Sequence, residues 1–162
     1  MNPLYVGIDV SSKSNVVYFM LPDGSKHCNF SVANSHTGSS QLVKRILSAM
    51  TSCSLDTVLI GLEATSVYGD NLVYFLREDA ALARFNSKIH VLNPKQVSKF
   101  KEAYNDLPKN DLIILLLLLI ACVSVESTKR YTSVTIVTKH FRTLHEHVIS
   151  LFPTSSKKSN VL

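Results

Sequence analysis

The sequence has few of the residues that stabilise disulfide-bonded secreted domains or small zinc-binding domains. It has no tryptophan and only three cysteines, Cys28, Cys53 and Cys122, widely spaced and without a CxxC pair. This pattern predicts neither a disulfide framework nor a zinc ribbon, and reduced thiols in the cytoplasm are the plain interpretation. The first residues, MNPLYVGIDV, lack a basic segment followed by an apolar one, so no secretory signal is predicted.

Long apolar runs are also scarce, and the one at residues 112–123 stands out from the polar sequence before it. As a helix, twelve residues rise about 18 Å, against a hydrocarbon core about 30 Å thick. The run is therefore too short to cross a bilayer, and the sequence predicts no membrane partner. A small membrane-associated protein stays a minor alternative, which phase partitioning in detergent would test.

What is present is enough apolar material for one core. The chain has 162 residues, 46% of them hydrophobic, which suits a single domain of ordinary size and argues against general disorder. The formal net charge is +5 and the isoelectric point about 9.2. A basic balance favours a polyanionic partner such as nucleic acid, although a merely soluble basic protein has the same charge.

Hydrophobic periodicity predicts three strands followed by alternating helices and strands. Alternation and turn signals predict the strands, and apolar residues at helical spacing behind Ser, Thr or Gly predict the helices. The predicted strands are 4–10, 15–21, 26–34, 56–65 and 87–94, and the predicted helices are 35–52, 66–79 and 95–107. This order, an antiparallel meander followed by helix–strand alternation, predicts an α/β fold with the ribonuclease-H-like mixed sheet flanked by helices.

Two carboxylates occupy positions that suggest a metal site. Asp9 is predicted in the first strand on the side opposite Val6 and Ile8, and Glu63 follows the apolar strand TVLIGL at its carboxyl end, where open α/β sheets bind ligands. If these strands are neighbours, the two side chains converge and suit Mg²⁺, which takes one or two carboxylates and keeps several waters. The alternative is that Asp9 caps a turn with Ser11 and that Glu63 is a solvated loop residue.

Three segments resemble one family of recombinases. YVGIDVSSKSNVV, GLEATSVYGDNLVYFL and HVLNPKQVSKFKEAYNDLPKND are similar to the N-terminal domain of DEDD transposases, the RuvC-like, Piv-related enzymes of insertion sequences. The resemblance extends over about residues 4–111. It implies transposition and recombination of DNA, with DNA and a structured guide RNA as partners. The resemblance is also compatible with a homo-oligomer.

The family binds divalent metal with four acidic residues. Transferred position by position, the resemblance implies that Asp9, Glu63 and Asp111 are metal-binding catalytic residues and that Mg²⁺ is the cofactor. The family's fourth acid lies three residues further on, where this sequence has Ile114. The family also has a C-terminal domain with a nucleophilic serine, for which a chain ending at residue 162 leaves no room. These departures predict a fragment that is inactive alone.

The departure after Asp111 suggests a shift of reading frame. In the shifted frame, the last base of each codon is read together with the first two bases of the next codon. Codons that encode the residues from Leu115 onward can then also encode F-V-I-A-D-C-L-R, which resembles the family pattern. We therefore expect a transposase-like domain over residues 1–111 and a degenerate or out-of-frame segment over 112–162.

The remaining candidates are contacts to nucleic acid. Lys95, Lys99 and Lys101 lie on one predicted helix and could bind phosphates, or they could be a solvated helix face. Tyr68 could orient the site or simply pack. The sequence thus favours a DNA transposase domain with metal-dependent strand cleavage and transfer. The alternative is a non-catalytic module that binds nucleic acid or interferes with dimers.

Overall fold

The computed structural model describes residues 2–63, 67–95 and 97–98. Its elements follow the predicted order, with one additional 3-10 turn at Leu82–Arg84. The strands are β1 Pro3–Val10, β2 Ser14–Met20, β3 Lys26–Ala33, β4 Thr57–Glu63 and β5 Asn86–Leu92, and the helices are α1 His36–Ser52 and α2 Asp70–Glu78.

The five strands form one mixed sheet in the order β3-β2-β1-β4-β5. β1, β2 and β3 are antiparallel neighbours, whereas β1, β4 and β5 run parallel. Short turns can join only antiparallel strands, and a parallel pair needs a crossover, which here contains α1 or α2. This is the ribonuclease-H-like arrangement, so the predicted fold class is confirmed.

Alternation along the strands puts an apolar set against the helices. On β1 the buried side chains are Leu4, Val6, Ile8 and Val10, whereas Asp9 is exposed. The same core takes in one face of α1 and one of α2. Their buried apolar residues are Leu42, Val43, Ile46, Ala49, Met50, Leu72, Val73 and Leu76. Full burial of each large side chain contributes about 1.5–3 kcal/mol, so this cluster holds both helices on one side of the sheet.

α1 begins where the sequence predicts. Ser35 has an extended backbone and its hydroxyl accepts a hydrogen bond from the Gly38 amide at 3.2 Å, which satisfies one amide that the first helical turn leaves open. Gly38 is required for a different reason. A Cβ there would lie 2.8 Å from the carbonyl carbon of Ala33, and closer still to its oxygen. Glycine at this position thus lets the start of α1 lie directly against the backbone at the end of β3.

α2 begins four residues later than predicted. Residues 67–69 form a turn, in which the Asp70 amide donates to the Val67 carbonyl at 3.3 Å. Gly69 precedes the helix without a side-chain cap. The 3-10 turn that the sequence analysis missed is capped by Asp79, whose carboxylate accepts from the amides of Ala81 and Leu82 at 2.9 and 3.0 Å.

After β5 the described chain enters a helical turn. Asn93 caps it, since its side-chain oxygen accepts from the Lys95 amide at 2.9 Å and its carbonyl accepts from the Val97 amide at 3.1 Å. Pro94 follows the cap, where its missing amide is not needed. The rest of the predicted helix 95–107, the apolar run at 112–123 and the predicted domain boundary after Asp111 lie outside the described residues.

No helix in the described part of the chain is both long enough and apolar enough to cross a membrane.

Candidate functional site

The candidate site lies at the carboxyl ends of the two central strands. β1 and β4 are paired in parallel with Gly7 opposite Gly61 and Ile8 opposite Leu62. Asp9 and Glu63 are each one residue beyond that last pair. Aligned residues on parallel strands point to the same face, so this register puts both carboxylates on the face opposite α1 and α2.

The two carboxylates differ in exposure. Asp9 is exposed, and within the described residues its carboxylate has no hydrogen-bond or ion-pair partner. Glu63 is half-buried as the last residue of β4. The alternation of β1 directs Asp9 to solvent, so its carboxylate has no burial cost that a cation would have to offset. Solvent access suits a hard divalent ion that retains several waters.

The turn after Asp9 is closed without its help. The Ser11 hydroxyl bonds to the carbonyl of Ser14 and also accepts from its amide at 3.2 Å. The Ser11 amide donates to the same carbonyl at 3.1 Å. Asp9 therefore does not cap this turn.

Neutral side chains lie beside the carboxylates on the same face. Tyr18 is opposite Gly7 on β2, and Tyr5 lies four residues before Asp9 on β1. Burial raises the pKa of both phenols above the usual value, so each is protonated at neutral pH. These tyrosines therefore add no negative charge to this face, and the Lys26 ammonium lies over the Tyr18 ring at 5.6 Å from its centroid.

Of the other predicted site residues, the structure describes only Lys95. Lys95 is exposed in the helical turn after β5. Asp111, Lys99 and Lys101 lie outside the described residues. Within the described ranges there is no group of three or more His, Cys, Asp or Glu side chains that could hold a metal. Asp9 and Glu63 are thus a pair that needs a further ligand, and the full predicted site stays a prediction.

A residue that the sequence analysis did not single out connects the loops at this edge. The side-chain amide of Asn34 donates to the carbonyls of Ser11 at 2.8 Å and Tyr68 at 3.1 Å. Its backbone amide donates to the Lys13 carbonyl at 2.9 Å. The loops after β1, β3 and β4 are therefore joined through one asparagine. The only sequence signal was an Asn-Ser pair before a helix, which predicts a cap and not this contact.

Tyr68 lies in the turn that Asn34 contacts. Its side chain is 52% exposed, and that of neighbouring Val67 is 74% exposed. Simple packing in the core is therefore excluded for Tyr68, and about half of its side chain is exposed near the carboxyl end of β4.

Comparison with known proteins gives a match to one family model. A DEDD transposase model of the IS110 type, described as a transposase, matches residues 6–148, which extends beyond Asp111 by 37 residues. No curated protein matches the chain.

Comparison with solved structures gives matches of low sequence identity, among them RuvC and a viral resolvase. RuvC of Thermus thermophilus is 11% identical, with a TM-score of 0.48, covering 75% of this chain and 96% of that one. A Fowlpox virus resolvase solved with Holliday junction DNA is 15% identical, with a TM-score of 0.41, covering 79% and 99%. An Aquifex aeolicus member of the Ppx/GppA family is 14% identical, with a TM-score of 0.38, covering 62% and 37%. None of these likenesses is close enough to transfer a function.

Proposed function

Because this chain belongs to the DEDD transposase family, we propose that it is the metal-binding domain of a DNA transposase, with Asp9, Glu63 and Asp111 as ligands of a divalent ion. The observation that carries this proposal is the parallel register of β1 and β4, which aligns Asp9 with Glu63 on one face. This register supports the proposal because it aligns two acidic residues that are 54 positions apart in sequence.

The donor set fits the ion that the family uses. Two carboxylates, one exposed and one half-buried, offer hard oxygen ligands and leave room for water. Mg²⁺ bound there would stabilise charge on the attacking and leaving oxygens of a phosphodiester. The protein's own part is to hold the two carboxylates on hydrogen-bonded central strands, so their spacing does not depend on loop order.

Binding of DNA would use charge around this edge. The chain has a net charge of +5, and Lys95 is exposed after β5, at the same edge as Glu63. We include Lys99 and Lys101 in the proposed contact surface. Phosphate contacts of this kind are independent of sequence and weaken as salt rises. A structured guide RNA is the second proposed partner because the family resemblance implies it, and the cytoplasm is the proposed location.

We propose further that the chain is inactive in strand transfer. Its sequence has Ile114 where the family has its fourth acid, and an alkyl side chain cannot ligate a cation. Strand cleavage and transfer assays with Mg²⁺ test this part, and turnover by the purified chain would overturn it.

The test of the metal site is a binding measurement, because it does not require turnover. Mn²⁺ titration followed by electron paramagnetic resonance should show one bound ion in the parent chain. Asp9→Asn and Glu63→Gln should each weaken binding at least tenfold, since each removes a charged ligand. Glu78→Gln, which neutralises an exposed acid at the end of α2, is the matched control. Equal affinity in all four proteins would refute the metal site.

A second function is favoured by Ile114 itself. Without its fourth acid, the scaffold could still bind nucleic acid without cutting it, or interfere with dimers of an intact relative. Gel-shift titrations at several salt concentrations distinguish the two functions. Salt-sensitive DNA binding that is unchanged by Asp9→Asn, together with no Mn²⁺ site, would favour the non-catalytic module.

A further inference from the structure

A cleft opens where the loops after β1, β3 and β4 meet. Its volume is about 640 Å³, within the range of small-ligand sites. Ser12, Ser35 and Tyr68 each contribute from a different loop. Ser12 is three residues after Asp9, and three extended residues span at most about 11 Å. The backbone at Ser12 therefore lies within that distance of Asp9, but the cleft is on the side of the sheet that carries the helices, whereas the Asp9 and Glu63 carboxylates lie on the opposite face.

One wall of the cleft is aromatic. Tyr68 is 52% exposed there, and Phe75 of α2 lies deeper and is half-buried. The His36 ring, at the start of α1, meets Phe75 edge to face with 5.0 Å between the ring centroids. These rings offer flat, apolar surface of the kind on which bases of single-stranded nucleic acids stack.

Hydrogen-bonding groups complete the lining. Asn71 provides both a donor and an acceptor, Asp70 provides acceptors, and Ser35 provides a hydroxyl that can do either. The Asp70 carboxylate makes the cleft unfavourable for a free phosphate. A purely apolar ligand would leave these polar groups unpaired. A ligand with a flat face and an edge of donors and acceptors satisfies both walls.

Hydrogen bonds from Asn34 hold the turn that carries Tyr68. Asn34 donates to the Tyr68 carbonyl at 3.1 Å and to the Ser11 carbonyl at 2.8 Å, so the turn at 67–69 is tied to the loop after Asp9. A preformed wall reduces the ordering cost of binding.

We propose that this cleft binds one unpaired nucleobase of the DNA strand presented to the metal site. The inference rests on the proposed transposase function, and it adds to it a contact with a single-stranded base. Tyr68 stacks on the base, and Asn71 and Asp70 bond to its edge. An unpaired base fits because a base within a duplex has both faces covered and its pairing edge occupied.

The experiment uses the full chain and a short single-stranded DNA that carries one 2-aminopurine, in EDTA. Binding should quench the fluorescence, and the same oligonucleotide in a duplex should give little change. Tyr68→Ala should weaken binding about tenfold or more, and Tyr68→Phe should restore it, since stacking needs only the ring. Tyr74→Ala is the matched control, because Tyr74 is 67% exposed on α2 and does not line the cleft.

Several results would overturn the inference. Tyr68→Ala could bind as the parent chain does, or Tyr74→Ala could lose as much affinity, and either would remove the cleft from recognition. Tighter binding of the matching RNA oligonucleotide would overturn the assignment to a DNA strand. Circular dichroism of each variant identifies a loss caused by unfolding, and Tyr68→Phe tests the stacking role if Tyr68→Ala does not fold.

Failure here is distinguishable from failure of the metal site. Asp9→Asn should not weaken 2-aminopurine quenching in EDTA, because the carboxylate does not line the cleft and its replacement removes a negative charge that repels DNA. If Mn²⁺ binding is found and quenching is not, the metal site stands and the cleft proposal is refuted. If quenching is found without a Mn²⁺ site, the metal-dependent function fails.

Discussion

Asn34 joins three loops at the edge of the sheet where the candidate site lies. We expect Asn34→Ala to lower the free energy of unfolding by about 1–3 kcal/mol, because two carbonyl partners lose their donor at once. Asn34→Asp should cost more, since its carboxylate would face the carbonyls of Ser11 and Tyr68. Urea unfolding followed by circular dichroism measures both. Asn29→Ala, at an exposed asparagine of β3, is the control, and equal losses at positions 29 and 34 would contradict the expectation.

Gly38 permits the close approach of α1 to the end of β3. We expect Gly38→Ala to destabilise the protein by several times the effect of an ordinary surface substitution, which is usually within about 0.5 kcal/mol. The added methyl group would clash with the Ala33 backbone, which cannot rotate away as a side chain could. Thermal unfolding of Gly38→Ala beside Thr37→Ala, an exposed neighbour in the same first turn, measures the difference. Equal melting temperatures would show that the turn can rearrange.

At the residue scale, sequence reasoning located the carboxylates better than the residues that support them. Asp9 and Glu63 could be singled out because acids beside apolar strands are unusual, and the parallel pairing of β1 with β4 aligns them. Asn34 could not be found in this way. Its contacts reach 23 and 34 residues along the chain, and no local pattern encodes which distant carbonyls a loop amide will meet.

Among the elements, the start of β4 is fixed to the chain's first residues by Asp56. The Asn2 amide donates to the Asp56 carboxylate at 2.8 Å and the Thr57 hydroxyl donates to it at 2.8 Å. These bonds, the Asn2 amide first, hold the pKa of Asp56 below its usual value. Because folding lowers this pKa, the ionised carboxylate contributes to the free energy of unfolding. The contribution is fully present above about pH 4, the pKa of the unfolded state, and is lost as the pH falls through the pKa of the folded state.

Replacing Asp56 should therefore change how the melting temperature falls at acidic pH. Between about pH 4 and pH 2, the melting temperature of the parent chain should fall more steeply than that of Asp56→Asn, which has no proton to take up there. Glu78→Gln, at an exposed acid on α2, is the control for the loss of one negative charge. Parallel curves for the parent and Asp56→Asn would show that the carboxylate is not stabilised by folding.

The elements themselves were largely readable from the sequence. The strands of the meander and α1 have strict apolar periods and clear turn or cap residues, so their bounds differ from expectation by a residue or two. The start of α2 was placed too early because residues 66–69 carry no pattern that separates a turn from a first helical turn. The Leu82–Arg84 turn was missed because three residues are too few to show a period.

For the whole molecule, the main sequence prediction concerns residues 112–162. The gene should encode the family pattern in the neighbouring reading frame downstream of the Asp111 codon, and DNA sequencing of the gene checks this. The family model matches residues 6–148 of the sequence as it stands, and this range includes 37 residues of the segment that we expect to be out of frame. Absence of the pattern there would refute the frameshift and leave the apolar run as native sequence.

The pairing of β1 with β4 also has a consequence for how the protein is made. Leu4 on β1 pairs with Val58 on β4, 54 residues later, and the meander with α1 lies between them. At roughly 5–20 residues per second, a ribosome needs about 3–11 seconds to add that stretch. During this interval the parallel-pairing edge of the newborn β1 has no partner. Chaperones that shield nascent strands would find a substrate in β1 during this interval.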